Sequence, residues 1–159
     1  MAPRSDLDTL PDERQDARRA HEALLSRSLE GTVLSAVRVV IAFFYLCHGA
    51  QKLFGVVGGV DGHGAVAATG AWPGWWAGLI ELVAGALILV GLFSRPAAIL
   101  CSGEMAFAYF TVHQPHAALP VQNHGELAAM FSWSFLLIAA LGPGWLSLDA
   151  LVRTARQRR

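Results

Sequence analysis

Four stretches of the chain, residues 33–53, 75–93, 96–112 and 126–141, are apolar and almost free of charge, and this limits the fold more than any other feature. At 1.5 Å per residue, helices through them would span about 31, 28, 25 and 24 Å, against a bilayer hydrocarbon core of roughly 30 Å. A soluble bundle would show a charged face recurring every three or four residues, and none of the runs has one. The expected fold is all-α: a four-helix transmembrane bundle with an interfacial helix near each end of the chain.

The charges avoid these runs. Residues 1–30 hold five arginines and seven acids, half of the 12 Lys+Arg and 12 Asp+Glu of the whole chain. The net charge of zero provides no basic face for nucleic acid, which is not expected as a partner. The polar start has no short apolar stretch and no small-residue cleavage site, so no cleavable signal peptide is expected. Residues 1–30 then form a cytoplasmic tail, helical over 12–29 after Pro11 and frayed over 1–10. Residues 31–144 form the transmembrane domain. In residues 145–159, Leu148, Leu151, Val152 and Ala155 share one face of a basic amphipathic helix suited to a leaflet surface. Cys47 and Cys101 lie in apolar runs, near opposite ends of their helices, and read as small core residues rather than a disulfide.

Orientation follows from the basic residues. The tail carries Arg4, Arg14, Arg18, Arg19 and Arg27, the turn at residues 94–96 carries Arg95, and the C-terminus carries Arg153, Arg156, Arg158 and Arg159. The other two connections have only Lys52 at their edge. The positive-inside rule makes both termini cytoplasmic, with residues 54–74 and 113–125 outside.

That topology gathers polar groups at one level. Glu81 lies about 9 Å below the outer end of the second helix. Gly78 and Gly85 share its face, and small residues mark the face that packs on neighbours, so Glu81 points inward. Leu89 is expected on a different face. Glu104, on the stripe of Ala97, Cys101, Ala108 and Thr111, also faces inward. The first helix presents Arg38, Tyr45, His48 and Lys52, with Gln51 beside them, and Glu126 opens the fourth helix. His48, His63, His113, His116 and His124 all fall on the outer side. An ionised carboxylate in hydrocarbon is expensive, so Glu81 and Glu104 must be paired, hydrated or protonated. Lys52 and His48 are the expected partners of Glu81, and a histidine or the other glutamate that of Glu104. Such a cluster can pass protons, hold a metal or grip the head of a quinone; equally, buried Glu, His and Lys can simply lock helices together. Pro115 separates His113 from His116, which makes a metal pair there a weak reading, as it is for His124. Arg38 is expected to snorkel to the inner interface, and Trp72, Trp75 and Trp76 to form an outer aromatic belt.

The ordered segments VRVVIAFFYLCHGAQKLFG, GLIELVAGALILVGLFSRPAA, SGEMAFAYFTVHQP and QNHGELAAMFSWSFLLIAALGPGWLSLDAL resemble the DoxX family of bacterial four-helix membrane proteins over residues 33–151. The resemblance maps the family's recurring polar positions onto Arg38, His48, Gly49, Lys52, Glu81, Glu104, His113, Asn123, Gly125, Glu126, Ser147 and Asp149, while His124 stands where a small residue is expected. It implies kinship with the quinone-reducing membrane subunit of thiosulfate:quinone oxidoreductase and with membrane oxidoreductase complexes that defend against oxidative stress. On that reading Glu81, Glu104 and His48 relay protons, and Lys52, His113, Asn123, Glu126, Tyr45 and Gln51 hold a quinone. The chain has no CxxCH, nucleotide-type glycine fingerprint or dithiol, so electrons would come from a redox partner or an outer-face substrate. The competing reading is a non-enzymatic scaffold or small-solute carrier whose polar cluster is structural. Self-association is open under either.

Overall fold

The computed structural model describes residues 13–157, which leaves the expected fraying of residues 1–10 and the last two arginines outside the described residues. Every regular element among them is helical. The principal elements are α1 (Glu13–Phe54), α2 (Gly74–Val90), α3 (Ser94–Ala108), the short α4 (Pro120–Asn123), α5 (Glu126–Leu141) and α6 (Leu148–Gln157).

The expected tail helix and first apolar run are one continuous helix, with no break at residue 30. The tail is rich in Ala, Leu, Arg and Glu, all strong helix formers, and neither Gly nor Pro interrupts it before Gly31. Among the described residues α1 alone is both long and apolar enough to cross a membrane, whereas α2 and α5 are apolar but only 17 and 16 residues long.

Two boundaries move from their expected places. The second helix ends at Val90 rather than residue 93 because Gly91 adopts a left-handed conformation (φ 74°), with its N–H on the Ile88 carbonyl at 3.1 Å and that of Leu92 on Leu87 at 2.9 Å. The third then starts at Ser94, with Pro96 in its first turn. Beyond Ala108 it loosens into a π-helical turn, Tyr109–His113, and a 3-10 turn, Gln114–His116.

Helices α1, α2, α3 and α5 pack in that cyclic order, closely between α1 and α2 and between α3 and α5, and only slightly between α5 and α1. Small residues account for the first contact. A Cβ on Gly49 would stand 2.7 Å from the Leu82 backbone nitrogen and 3.0 Å from Glu81 Cβ, so only glycine permits this approach. Gly78, Glu81, Ala84, Gly85 and Ile88 form the buried face of α2. Leu89 is half-buried against the same core, not on a separate face, because it sits four residues after Gly85. Between α3 and α5, the Ser102 and Ser132 hydroxyls each donate to the other's carbonyl, at 2.9 and 3.0 Å. The exterior is apolar: Val37, Val40 and Phe44 on α1, Val83 on α2, Ile99 on α3 and Leu137 on α5 all point outward.

At the end that carries the turn between α2 and α3, polar groups tie the helices. Arg38 does not snorkel. It is 1% exposed, and its guanidinium donates to the carbonyls of Ile88, Leu89, Pro143 and Leu146. The first two belong to the last turn of α2, where the Ile88 carbonyl otherwise accepts only from the Gly91 cap and the carbonyls carry the negative end of the helix dipole, so a buried cation is well received there. Arg95 does the same for α5, donating to Ala139 and Ala140 carbonyls at 3.0 Å each. At the opposite end, Asp61 Oδ1 accepts from the Ala65 and His63 N–H groups at 3.0 and 2.8 Å, which hold its carboxyl below the usual carboxylate range and shape the loop.

Candidate functional site

A cavity of about 400 Å³ opens between the helices at the end that carries the two longer connections. Its polar wall is His48 and Lys52 from α1, Glu81 from α2, Glu104 from α3, His113 from the π turn and His124 from the turn after α4. The rest is apolar and aromatic, including Trp72, Trp76, Ile80, Phe107, Leu127 and Phe131. The three candidate proton-relay residues, Glu81, Glu104 and His48, therefore line one space.

Their pairing departs from expectation in one respect. Lys52 Nζ donates to Glu81 Oε1 at 2.5 Å, as the sequence suggested. The partner of Glu104 is Tyr45, whose hydroxyl donates to Oε2 at 2.6 Å, not a histidine or the other glutamate. Tyr45 is fully buried, outside the cavity wall, and stacks edge-on against Phe135 and Phe131 with ring centroids 4.6 and 5.5 Å away. It supports the site from below instead of facing a ligand. His48 meets Phe131 edge to face, centroids 5.9 Å apart.

Glu81 is 1% exposed, and its second oxygen, Oε2, has no hydrogen-bond partner among the described residues. A buried acceptor left alone costs about 1–3 kcal/mol, more when charged. The site retains that cost within its wall.

Other candidates fall away from the cavity. All the polar side-chain atoms of Asn123 are spent on its own turn: Nδ2 donates to the Ala117 carbonyl and Oδ1 accepts from the Gly125 N–H, both at 2.8 Å. Gln51 donates to the Gly59 carbonyl at 2.7 Å, fastening the first loop to α1. Glu126 and His116 are exposed and outside the wall, as is His63. His113 and His124 remain without His116, and no group of three or more His, Cys, Asp or Glu among the described residues is placed to hold a metal ion. Cys47 and Cys101 are free thiols.

Sequence reasoning missed the roles of two tryptophans. Trp72 and Trp76 line the cavity mouth rather than serving only as an interfacial belt; Trp72 meets Phe107 edge-on at 5.6 Å, and Trp76 Nε1 donates to the Gly70 carbonyl at 3.2 Å. The available signal was their place around the start of the helix that carries Glu81, Trp72 just before it and Trp76 in its first turn. It also missed Arg38 as a buried hub, for which the signal was its position one turn inside an apolar run.

An apolar exterior around a polar, aromatic-walled cavity is the design of an integral helical membrane protein. Residues 33–114 match the DoxX family. An uncharacterized protein of Haemophilus influenzae is 38% identical over 120 residues, which cover 73% of this chain and 87% of that protein. The chain belongs to the DoxX family and is a membrane protein. No solved structure matches it.

Proposed function

We propose that α1, α2, α3 with its π turn, and α5 each cross a bacterial cytoplasmic membrane, with both termini cytoplasmic, and that the cavity binds the head of a quinone as part of a redox system whose electrons come from a partner protein. The observation that carries this reading is the buried, unpartnered Glu81 Oε2 in the wall of a cavity that is otherwise largely aromatic and apolar. Trp72, Trp76, Phe107 and Phe131 offer aromatic faces to a planar head, and Lys52, His48, His113 and His124 offer donors to its carbonyl oxygens. A quinone, when bound, supplies the chemistry of a two-electron, two-proton acceptor.

The chain's own groups then have separable tasks. Lys52 fixes Oε1 of Glu81 and leaves Oε2 to exchange a proton with whatever occupies the cavity. Tyr45 orients Glu104 as a second carboxylate in the same wall, and the His48 ring is a third group able to carry a proton. The aromatic wall keeps water away, which strengthens each of these interactions.

A structural role competes on one observation: Lys52 with Glu81 and Tyr45 with Glu104 already form internal pairs that join α1 to α2 and α1 to α3. Purification in mild detergent, followed by an absorption spectrum and organic extraction, tests the proposal. Quinone recovered with the wild type but lost from a folded Glu81→Gln variant is the expected result. Absence of quinone from the wild type, together with no saturable binding of added quinone, would leave the structural reading.

A further inference from the structure

A second hollow, about 390 Å³, lies on the outer face of the bundle between α1 and α5. Ile41 and Phe44 form its α1 side, and Leu127 and Met130 its α5 side. Phe44, Leu127 and Met130 are among the exposed apolar residues, so the groove opens toward the surroundings of the bundle rather than into its core. It shares three wall residues with the inner cavity: His48, Leu127 and Phe131. The edge-to-face pair of His48 and Phe131 is therefore a partition with the cavity on one side and the groove on the other. It stands at the seam where the helices touch least, since α1 and α5 have only slight contact while α1 clasps α2 and α5 clasps α3.

We propose that the groove between α1 and α5 is a lateral portal, with His48 and Phe131 as its gate, that seats the hydrocarbon tail of the ligand whose head occupies the cavity. This rests on the quinone reading above and adds the class of molecule: an amphiphile with a long apolar tail, arriving from within the bilayer rather than through the polar mouth. Three features favour a tail over any other occupant. The groove wall is apolar apart from His48 and Ser134. It joins the cavity at shared residues, so one molecule can occupy both. The cavity alone is of a size for a ring head, and a chain attached to that head must leave through some side of the bundle; the seam between α1 and α5 offers least resistance.

The test uses two probes with the same benzoquinone head, one without a tail and one with a decyl tail, titrated against the full-length protein in detergent. Met130→Trp fills the groove from an exposed position, so folding is undisturbed, and Met130 is not part of the cavity wall. The variant is expected to weaken the decyl quinone on the order of tenfold, equivalent to about two methylenes losing contact, and to leave the tail-less quinone unchanged. Ile99→Trp, on the exposed face of α3, should change neither. Wild-type affinity of Met130→Trp for the decyl quinone would overturn the portal while leaving the head site standing. Failure of the tail-less quinone to bind the wild type would overturn the head site and the portal with it.

Discussion

Asp149, in the first turn of α6, caps a helix 55 residues earlier in the chain. Its Oδ2 accepts from the Ser94 N–H at 3.0 Å and the Ser94 hydroxyl at 2.9 Å, and its Oδ1 accepts from the Phe93 N–H at 3.0 Å. Phe93, the residue preceding α3, holds a left-handed conformation (φ 48°) and has no side-chain acceptor with which to cap the helix, and the carboxylate is supplied from α6.

This arrangement predicts an acid-sensitive end. Partial burial raises the Asp149 carboxyl, but the hydrogen bonds from Ser94 and Phe93 together with nearby Arg153 outweigh it, and the net direction is below the usual carboxylate range. The folded state therefore binds this proton less readily than the unfolded chain. The cap's contribution is complete above the unfolded value and is lost as pH falls through the folded one. Thermal unfolding in detergent should show that acid-side loss in the wild type and less of it in Asp149→Asn, which should cost about 1 kcal/mol at neutral pH.

Arg38→Met should reduce folded yield sharply. It removes the donor from the Leu89, Pro143 and Leu146 carbonyls, each worth on the order of 1–3 kcal/mol if stranded in the interior, and leaves the Ile88 carbonyl only the Gly91 N–H. Arg38→Lys should rescue little, because an ammonium has no planar fork to reach both the end of α2 and the segment after α5. Size-exclusion yield of the two variants measures this.

Gly49→Ala should cost more than Val83→Ala. The first drives a methyl group against the backbone of α2, for which overpacking costs about 1–3 kcal/mol, whereas Val83 faces outward. Equal melting temperatures for the two would contradict the assigned α1–α2 interface.

Lys52→Met should destabilise by roughly 3–5 kcal/mol, since it leaves the Glu81 carboxylate buried with neither oxygen partnered. Adding Glu81→Leu should restore most of that stability while abolishing quinone binding. A double variant as unstable as Lys52→Met would mean that something other than the stranded charge causes the loss.

A reporter active only in the cytoplasm, fused after residue 118, should be silent, and the same reporter after residue 159 should be active. The opposite pattern would place the cavity at the cytoplasmic face.

The number and order of the long helices were legible because apolar length and small-residue spacing are local signals. So was the inward face of Glu81, read from Gly78 and Gly85, and so was its pairing with Lys52. What escaped depends on contacts between distant segments. Nothing near Arg38 announces four carbonyls contributed by residues 88–146. Asn123 looks like a ligand-binding amide until its turn is seen to consume both ends of it. Tyr45 reads as part of the same polar stripe as His48, and only the fold places its hydroxyl under Glu104. The continuity of α1 through residue 30 is hidden by the change of composition there, although helix propensity stays high across it.

The Arg38 hub makes the bundle unequally stiff along its length. At its base, a guanidinium grips α2 and the segment after α5, Arg95 fastens the end of α5, and Asp149 pins the start of α3. At the mouth, α1 and α2 stay closely packed through Gly49 and Gly78, while α1 and α5 meet through aromatic edges beside an open volume. Any widening of the mouth that a guest molecule requires therefore falls to the slightly packed side between α1 and α5, and the level held by Arg38, Arg95 and Asp149 need not repack for it.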